Sequence, residues 1–364
     1  MKNRIQSIDI LRGLTIFLMI VVNTPGSWSH VYAPLLHAKW HGTTPTDLVF
    51  PSFLFIVGMS MFISFKKASS SNKLLFGKVL KRGLLILLIG LALNWFPFYH
   101  QNIVDLRIFG VLQRIALAFL LAGFILSFIK KRNHIIIAFV VLLLAHWGIL
   151  YFFPVGADPF ALDGNISGPL DIILVGEKHV YGGFGIPFDP EGLLGTLSSA
   201  GQVLLGYLVC RYFMESNALV NGKTRNLLFF GITAIGLGLL WNIIYPINKP
   251  LWTGSYVFFT SGIITLVWAL LIWVIDIMKL DKWAFVFKVF GRNPLISYVL
   301  SIVVVKILMR IIKIEESNGY ALLYQKVFQP IGDKLGSLLF ALSITMLVWL
   351  FAYWLYKKGK VIRV

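Results

Sequence analysis

Only one cysteine, Cys210, occurs in the 364 residues. No disulfide can close within the chain, no cysteine metal cluster can be built, and inside an apolar run the residue reads as a buried thiol. Charge is scarce too: 13% of residues are charged against 58% hydrophobic, and the mean hydropathy is +0.81. Those values lie far outside the range of soluble domains. Carboxylates are scarcest, 15 against 33 Lys and Arg, which leaves a formal charge of +18. No basic module stands apart from the apolar runs, so the excess does not describe a nucleic-acid surface. The period-two alternation of a membrane barrel is missing. So are low-complexity tracts, a linker that would split the chain and a glycine loop able to cradle phosphate. The lack of an internal repeat weakens an inverted-repeat transporter design.

What is present is a series of apolar runs of membrane-spanning length, among them residues 48–65, 108–129, 135–153 and 338–356; a span needs about 20 residues. The pattern predicts an all-α polytopic membrane bundle of about ten transmembrane helices, one domain over residues 1–364. The spans fall at roughly 8–23, 46–65, 78–96, 108–129, 135–153, 193–213, 227–245, 255–276, 292–312 and 335–356. MKNR and the apolar run 10–22 lead into Asn23 and Pro25 without a small-residue cleavage site, so they read as a first span rather than a signal peptide. Basic residues gather in alternate segments: Lys2 and Arg4, then within 66–82, 130–132, 211–225, 279–292 and 357–363, while most carboxylates fall in the other set. By the positive-inside rule both termini are cytoplasmic. The longest outer segment, 154–191, is rich in Gly, Pro and Asp and predicts an ordered lid or an irregular surface excursion.

One stretch, HAKWHGTTPTDLVFP at 37–51, concentrates titratable groups before an apolar run. Thr44-Pro45-Thr46-Asp47 reads as a helix start, with Thr44 as N-cap, Pro45 in the first helical position and Asp47 closing a capping box. Asp47 can cap and take part in chemistry at once. His37 and His41, four apart, would share a helix face, but no Glu lies between them and no third ligand follows at a recognisable spacing, so no metal is expected. With Trp40 they also suit headgroup depth. Asn23, His37, His41 and Asp47 collect at one rim of the bundle, and polar groups beside apolar spans tend to mark a site.

Arg114, in GVLQRIALAF, needs a partner or a wet cavity at membrane depth. Asp9 and Arg12, three apart on the first helix, can pair with each other or meet a ligand. Arg292 and Asn293, in FGRNPLISY, read as a helix start near the cytoplasm, either an anion site or a topology anchor.

HAKWHGTTPTDLVFPSFLFIVG, LRIFGVLQRIALAF, FDPEGLLGTLSS and PINKPLWTGSYVF, in this order, resemble the heparan-α-glucosaminide N-acetyltransferase family of transmembrane acetyltransferases, from about residue 7 to about 300. The resemblance implies acetyl transfer from cytosolic acetyl-CoA, a co-substrate, to the amine of a glucosamine-type amino sugar or glycan acceptor across the membrane. It matches His37 to the family's active-site histidine, Asp47 to its acidic neighbour and Asn23 to a polar neighbour. The loop from Asn23 to His37 is longer than the family's, and His41 replaces an Asn. His41 and Trp40 become candidates for acceptor binding. CoA phosphates would meet Arg12 or Arg292 at the cytoplasmic mouth, with Arg114 deeper in the same cavity. His37 could deprotonate the amine or form an acetyl-imidazole, Asp47 orienting it and Asn23 donating to the oxyanion. Short loops, and no lysosomal targeting extension, predict an inner-membrane protein in contact with lipid, with no nucleic-acid partner. The resemblance permits a homodimer. The competing reading is an amino-sugar transporter without acyl transfer, and His37 with Asp47 discriminates the two.

Overall fold

The computed structural model describes residues 5–67, 72–99, 102–314 and 316–362. Lys2, Arg4 and Arg363 of the topological reckoning lie outside the described residues. The chain forms α1 (Gln6–Asn23), α2 (Val49–Lys67), α3 (Asn72–Trp95), α4 (Val111–Phe128), α5 (Arg132–Phe152), α6 (Ser167–Val175), α7 (Thr196–Glu215), α8 (Val220–Trp241), α9 (Gly254–Leu271), α10 (Phe285–Arg292), α11 (Pro294–Lys306), α12 (Gly319–Leu323) and α13 (Asp333–Lys357). It is an all-α, multi-pass membrane protein.

Eight of the described helices are long and apolar enough to cross a membrane. Two further elements expected as spans, α3 and α7, have 24 and 20 residues but a different character. Lys78, Lys81 and Arg82 sit in the early turns of α3. On α7 nearly every side chain from Thr196 to Cys210 is buried, against α2, α4, α5 and α9. A helix sheathed by protein needs no apolar lipid face, and its polar side chains find partners: Gln202 donates to Ser261 Oγ at 2.8 Å. Cys210 is a buried free thiol, as its apolar setting predicts. The outward faces of α5 and α8 carry Ile137, Val141, Phe229, Ile232 and Leu240, all more than half exposed. In water such a belt would be costly; against lipid it is the expected surface.

Small residues let the helix backbones meet. A Cβ on Gly58 would lie 1.9 Å from Val203 O, and one on Gly206 would lie 2.0 Å from Phe55 O, so α2 and α7 cross at a reciprocal glycine contact. The span expected at 292–312 is present as Pro294–Ile311, starting two residues later. Arg292 ends α10 and Pro294 opens α11, because Pro cannot continue the preceding helix. Arg292 therefore closes α10 and directly precedes Asn293, the N-cap of α11.

The outer segment 154–191 is ordered. It contains α6 and packs Phe160 and Phe188 with Leu150, Leu194, Tyr245 and Leu251 into a second apolar cluster, against which Trp40 rests.

Candidate functional site

Thr44 holds an extended conformation, Pro45 opens a 3₁₀ turn (Pro45–Leu48), and Asp47 lies at its third position, 1% exposed. Its Oδ2 accepts from the N–H groups of Ala38 and Thr44, each at 3.0 Å, and lies 3.1 Å from Thr44 Oγ1. Oδ1 faces His37 Nδ1 at 2.6 Å. Capping and histidine pairing are thus carried by the two oxygens of one carboxylate. An ionised carboxylate only accepts, so the proton is on Nδ1 and the Nε2 lone pair is left for other partners. The His37 side chain is 41% exposed.

The segment bearing His37 is not helical. Residues 36–44 run irregularly after the short turn Ala33–Leu35, with bends at 36, 39 and 40 and Gly42 at φ +90, clamped by Thr44 Oγ1 to Leu36 O and by Thr46 Oγ1 to Pro34 O, at 2.6 and 3.1 Å. The expected shared face of His37 and His41 does not form. His41 instead bridges Asn248, with Nδ1 3.3 Å from Asn248 Nδ2. Burial pushes the His41 imidazole down, against the opposing pull of Asp158. Among the described residues no three His, Cys, Asp or Glu side chains gather as a metal set.

A third charged group comes from far along the chain. Lys249 Nζ lies 3.2 Å from Asp47 Oδ1, 2.9 Å from His37 Nδ1 and 3.5 Å from His37 Nε2. Since Nδ1–H already donates to Asp47, the ammonium donates to the carboxylate. Lys249 opens a turn in which Trp252 N donates to Lys249 O at 3.0 Å, with Pro250 in the position where its fixed φ suits a turn. Asn248 pins this turn: its Oδ1 accepts from Leu251 N at 2.7 Å and its Nδ2 donates to Trp40 O at 3.1 Å. Trp252 is held at φ +59, a costly conformation for a bulky residue, kept here by near-complete burial against Phe50 and Tyr256. Tyr256 in turn donates to Asp47 O at 2.5 Å. Burial pushes the Lys249 ammonium down, while Asp47 and Glu191 push it back up.

The outer loop closes the other side. Arg107 grips Asp189 through Nε and Nη2 at 2.8 and 2.7 Å, and reaches Glu191 at 2.6 Å. Arg114, 1% exposed, donates to Ser199 Oγ, Gly192 O and Pro190 O at 2.9, 2.8 and 3.1 Å and lies over the Trp252 ring. Its partner is therefore the outer loop at the Asp47 end of the bundle. Trp40 donates to Phe160 O at 2.8 Å and meets Phe184 and Phe188 edge-on, which ties the His37 segment to the same loop.

Asn23, the last residue of α1, donates to Met19 O of its own helix at 2.7 Å; it is at the rim but not bonded to the His37–Asp47 pair. Arg12 pairs with Asp9 at 3.2 Å, as their spacing predicts, and also donates to Ser60 Oγ at 2.7 Å and Gly291 O at 3.3 Å. Arg292, next to Gly291, lies over the Tyr356 ring at 4.8 Å. Arg12 and Arg292 thus both lie beside Gly291. Asp47, the partner of His37, and Ser60, the partner of Arg12, stand about 20 Å apart along the 3₁₀ turn and α2 at about 1.5 Å per residue.

Lys249, Asn248, Arg107 and Glu191 were not singled out by sequence reasoning. All four stand inside the family-like motifs PINKPLWTGSYVF, LRIFGVLQRIALAF and FDPEGLLGTLSS, and that was the signal that could have found them.

Fold and site together define a multi-pass helical membrane protein with an imidazole, a buried carboxylate and an ammonium meeting at one end, under an ordered loop. The family resemblance is borne out: residues 4–156 match the family model "Heparan-alpha-glucosaminide N-acetyltransferase, catalytic". The chain is 28% identical to heparan-alpha-glucosaminide N-acetyltransferase of Homo sapiens over 356 residues, 81% of this chain and 52% of that protein. It is also 28% identical to the Mus musculus protein over 353 residues, 82% and 53% of the two chains. The chain spans about half the length of the curated relatives it matches.

Proposed function

We propose that this chain is a membrane acetyltransferase that moves acetyl from acetyl-CoA to the amine of an amino sugar, glucosamine in type, with His37 as the reacting base. The observation that carries the reading is the 2.6 Å contact between His37 and a carboxylate that is 1% exposed, which leaves Nε2 as the lone-pair nitrogen. The matched relatives, named as acetyltransferases of a glucosaminide, support the substrate class.

An amino-sugar amine is largely protonated near neutral pH and must lose a proton before it attacks a thioester. His37 Nε2 takes that proton, and Asp47 stabilises the imidazolium through Nδ1–H. The amide C–N bond forms, the thioester C–S bond breaks, and of the two protons the ammonium nitrogen gives up, one passes through His37 to the CoA thiolate and the other is released to water. Attack by His37 itself, through an acetyl-imidazole, uses the same groups, and trapping acetyl on His37 in a single turnover separates the routes. Asn23, with its amide turned from Met19, is the candidate donor to the oxyanion. His41 and Trp40 border the acceptor side.

Arg12 and Arg292 would hold CoA phosphates at the cytoplasmic mouth of an inner-membrane protein whose termini face the cytosol. The pantetheine arm then spans the about 20 Å of rise that separates Ser60 from Asp47. Arg114, spent on the loop carbonyls, supports the site from beneath the outer loop.

The test is transfer of labelled acetyl from acetyl-CoA to glucosamine by the purified protein in lipid, beside His37→Ala. Transfer by wild type and its loss in the variant is the expected result. Sugar uptake into intact vesicles with no acetyl transfer to any of a panel of amino sugars would replace the reading with transport.

A further inference from the structure

We propose that Lys249 is a positioning residue for His37: its ammonium offsets the Asp47 charge and so keeps the imidazole in its neutral, proton-accepting form. The consequence for turnover rests on the acetyltransferase reading; the geometry does not.

Two full charges of opposite sign lie against the ring. Asp47, 2.6 Å from Nδ1, favours the imidazolium, and Lys249, 2.9 Å from the same nitrogen, opposes it. Without the lysine, the carboxylate would stand unopposed in a buried setting. The ring would then gain a second proton at higher pH and lose its ability to accept one from an amine. The lysine is not an incidental surface charge: its side chain is 19% exposed, and the Asn248-pinned turn fixes its backbone. Other charged and titratable groups stand on three elements around the pair, with Lys39 two residues along from His37. Glu191, held by Arg107, faces Lys249 from the outer loop. Tyr256 of α9 donates to the Asp47 carbonyl. His41, with Asp158 near it, lies on the same segment as His37. Among the described residues Lys249 is the cation in hydrogen-bonding reach of the His37 ring.

The experiment measures carbethoxylation of His37 by diethyl pyrocarbonate against pH in the full chain in lipid. Only the neutral imidazole reacts, and peptide mass spectrometry reads the site with no need for enzyme turnover. Exposed His134 on α5 serves as the internal reference. In Lys249→Met the midpoint for His37 moves up by about one to three pH units, the usual effect of a nearby charge, while Lys249→Arg keeps the wild-type midpoint and His134 is unmoved in both. The acid limb of kcat/KM for acetyl transfer moves with it. An unchanged His37 midpoint in Lys249→Met, or the same shift in Lys249→Arg, overturns the proposal. A shifted midpoint in a protein that transfers no acetyl upholds this role and removes the acetyltransferase reading.

Discussion

Asp47→Asn removes one negative charge and nothing of the side chain's shape. The carboxylate takes donors from His37, Ala38, Thr44 and Lys249, and the carboxamide must turn an NH₂ group toward some of them. Breaking a buried pair by removing one partner costs about 3–5 kcal/mol. Here His37 and Lys249 are 41% and 19% exposed and regain water, so the expected loss is about 2–3 kcal/mol. The effect on rate should be larger than the effect on fold. With the NH₂ group facing Nδ1, the ring is driven to the tautomer with its proton on Nε2, which no longer accepts a proton from the amine. The equivalent swap in a Ser-His-Asp triad lowers kcat by about 10⁴. His37 is freer to turn than a buried triad histidine, so a fall of about 10² to 10⁴ is expected. The assay is kcat for acetyl transfer in lipid, beside thermal unfolding of the same sample. A kcat within threefold of wild type, in a protein that unfolds as wild type does, would refute the claim that Asp47 fixes the imidazole.

Arg107→Met leaves the fully buried Asp189 without its cation; a loss of about 2–3 kcal/mol follows, and segment 154–191 should be cut faster in limited proteolysis, so an unchanged cleavage rate counts against the loop clamp. Burial pushes the Asp171 carboxyl up to about 6, only partly opposed by Leu193 N–H and Arg114. The folded protein therefore keeps a proton that the unfolded chain has lost between about pH 4 and 6, and stability falls by about 3 kcal/mol as pH rises through that window. Asp171→Asn should abolish this slope in unfolding midpoints taken against pH, and equal slopes in the two proteins would sink it.

The spans were legible because a lipid-facing or core helix has to be apolar over a membrane's thickness, and α5 or α13 satisfies that by composition alone. Where the demand is relaxed, composition misleads: α7 meets protein on nearly every side, so Thr196, Ser199 and Gln202 are tolerated. The break at Pro294 was visible as a residue type but not as a helix end, because Arg292 and Asn293 fit a helix start equally well. Within the site, the cap at Thr44 to Asp47 is a local pattern and could be read from four consecutive residues. The pairing of His37 with Asp47 joins residues ten apart, close enough for one motif to hold both.

Lys249 is different in kind. It is 212 residues from His37 in sequence, and a lysine between Asn and Pro reads as an ordinary loop residue. Its role follows only from the turn that Asn248, Pro250 and Trp252 build, and from α9 and α2 standing side by side so that this turn lies over the start of α2. A local pattern can specify a carboxylate and an imidazole that meet. Whether the ring between them is neutral depends on a charge delivered by tertiary packing, and therefore the proton chemistry of this site is a property of the whole bundle rather than of the motif around His37.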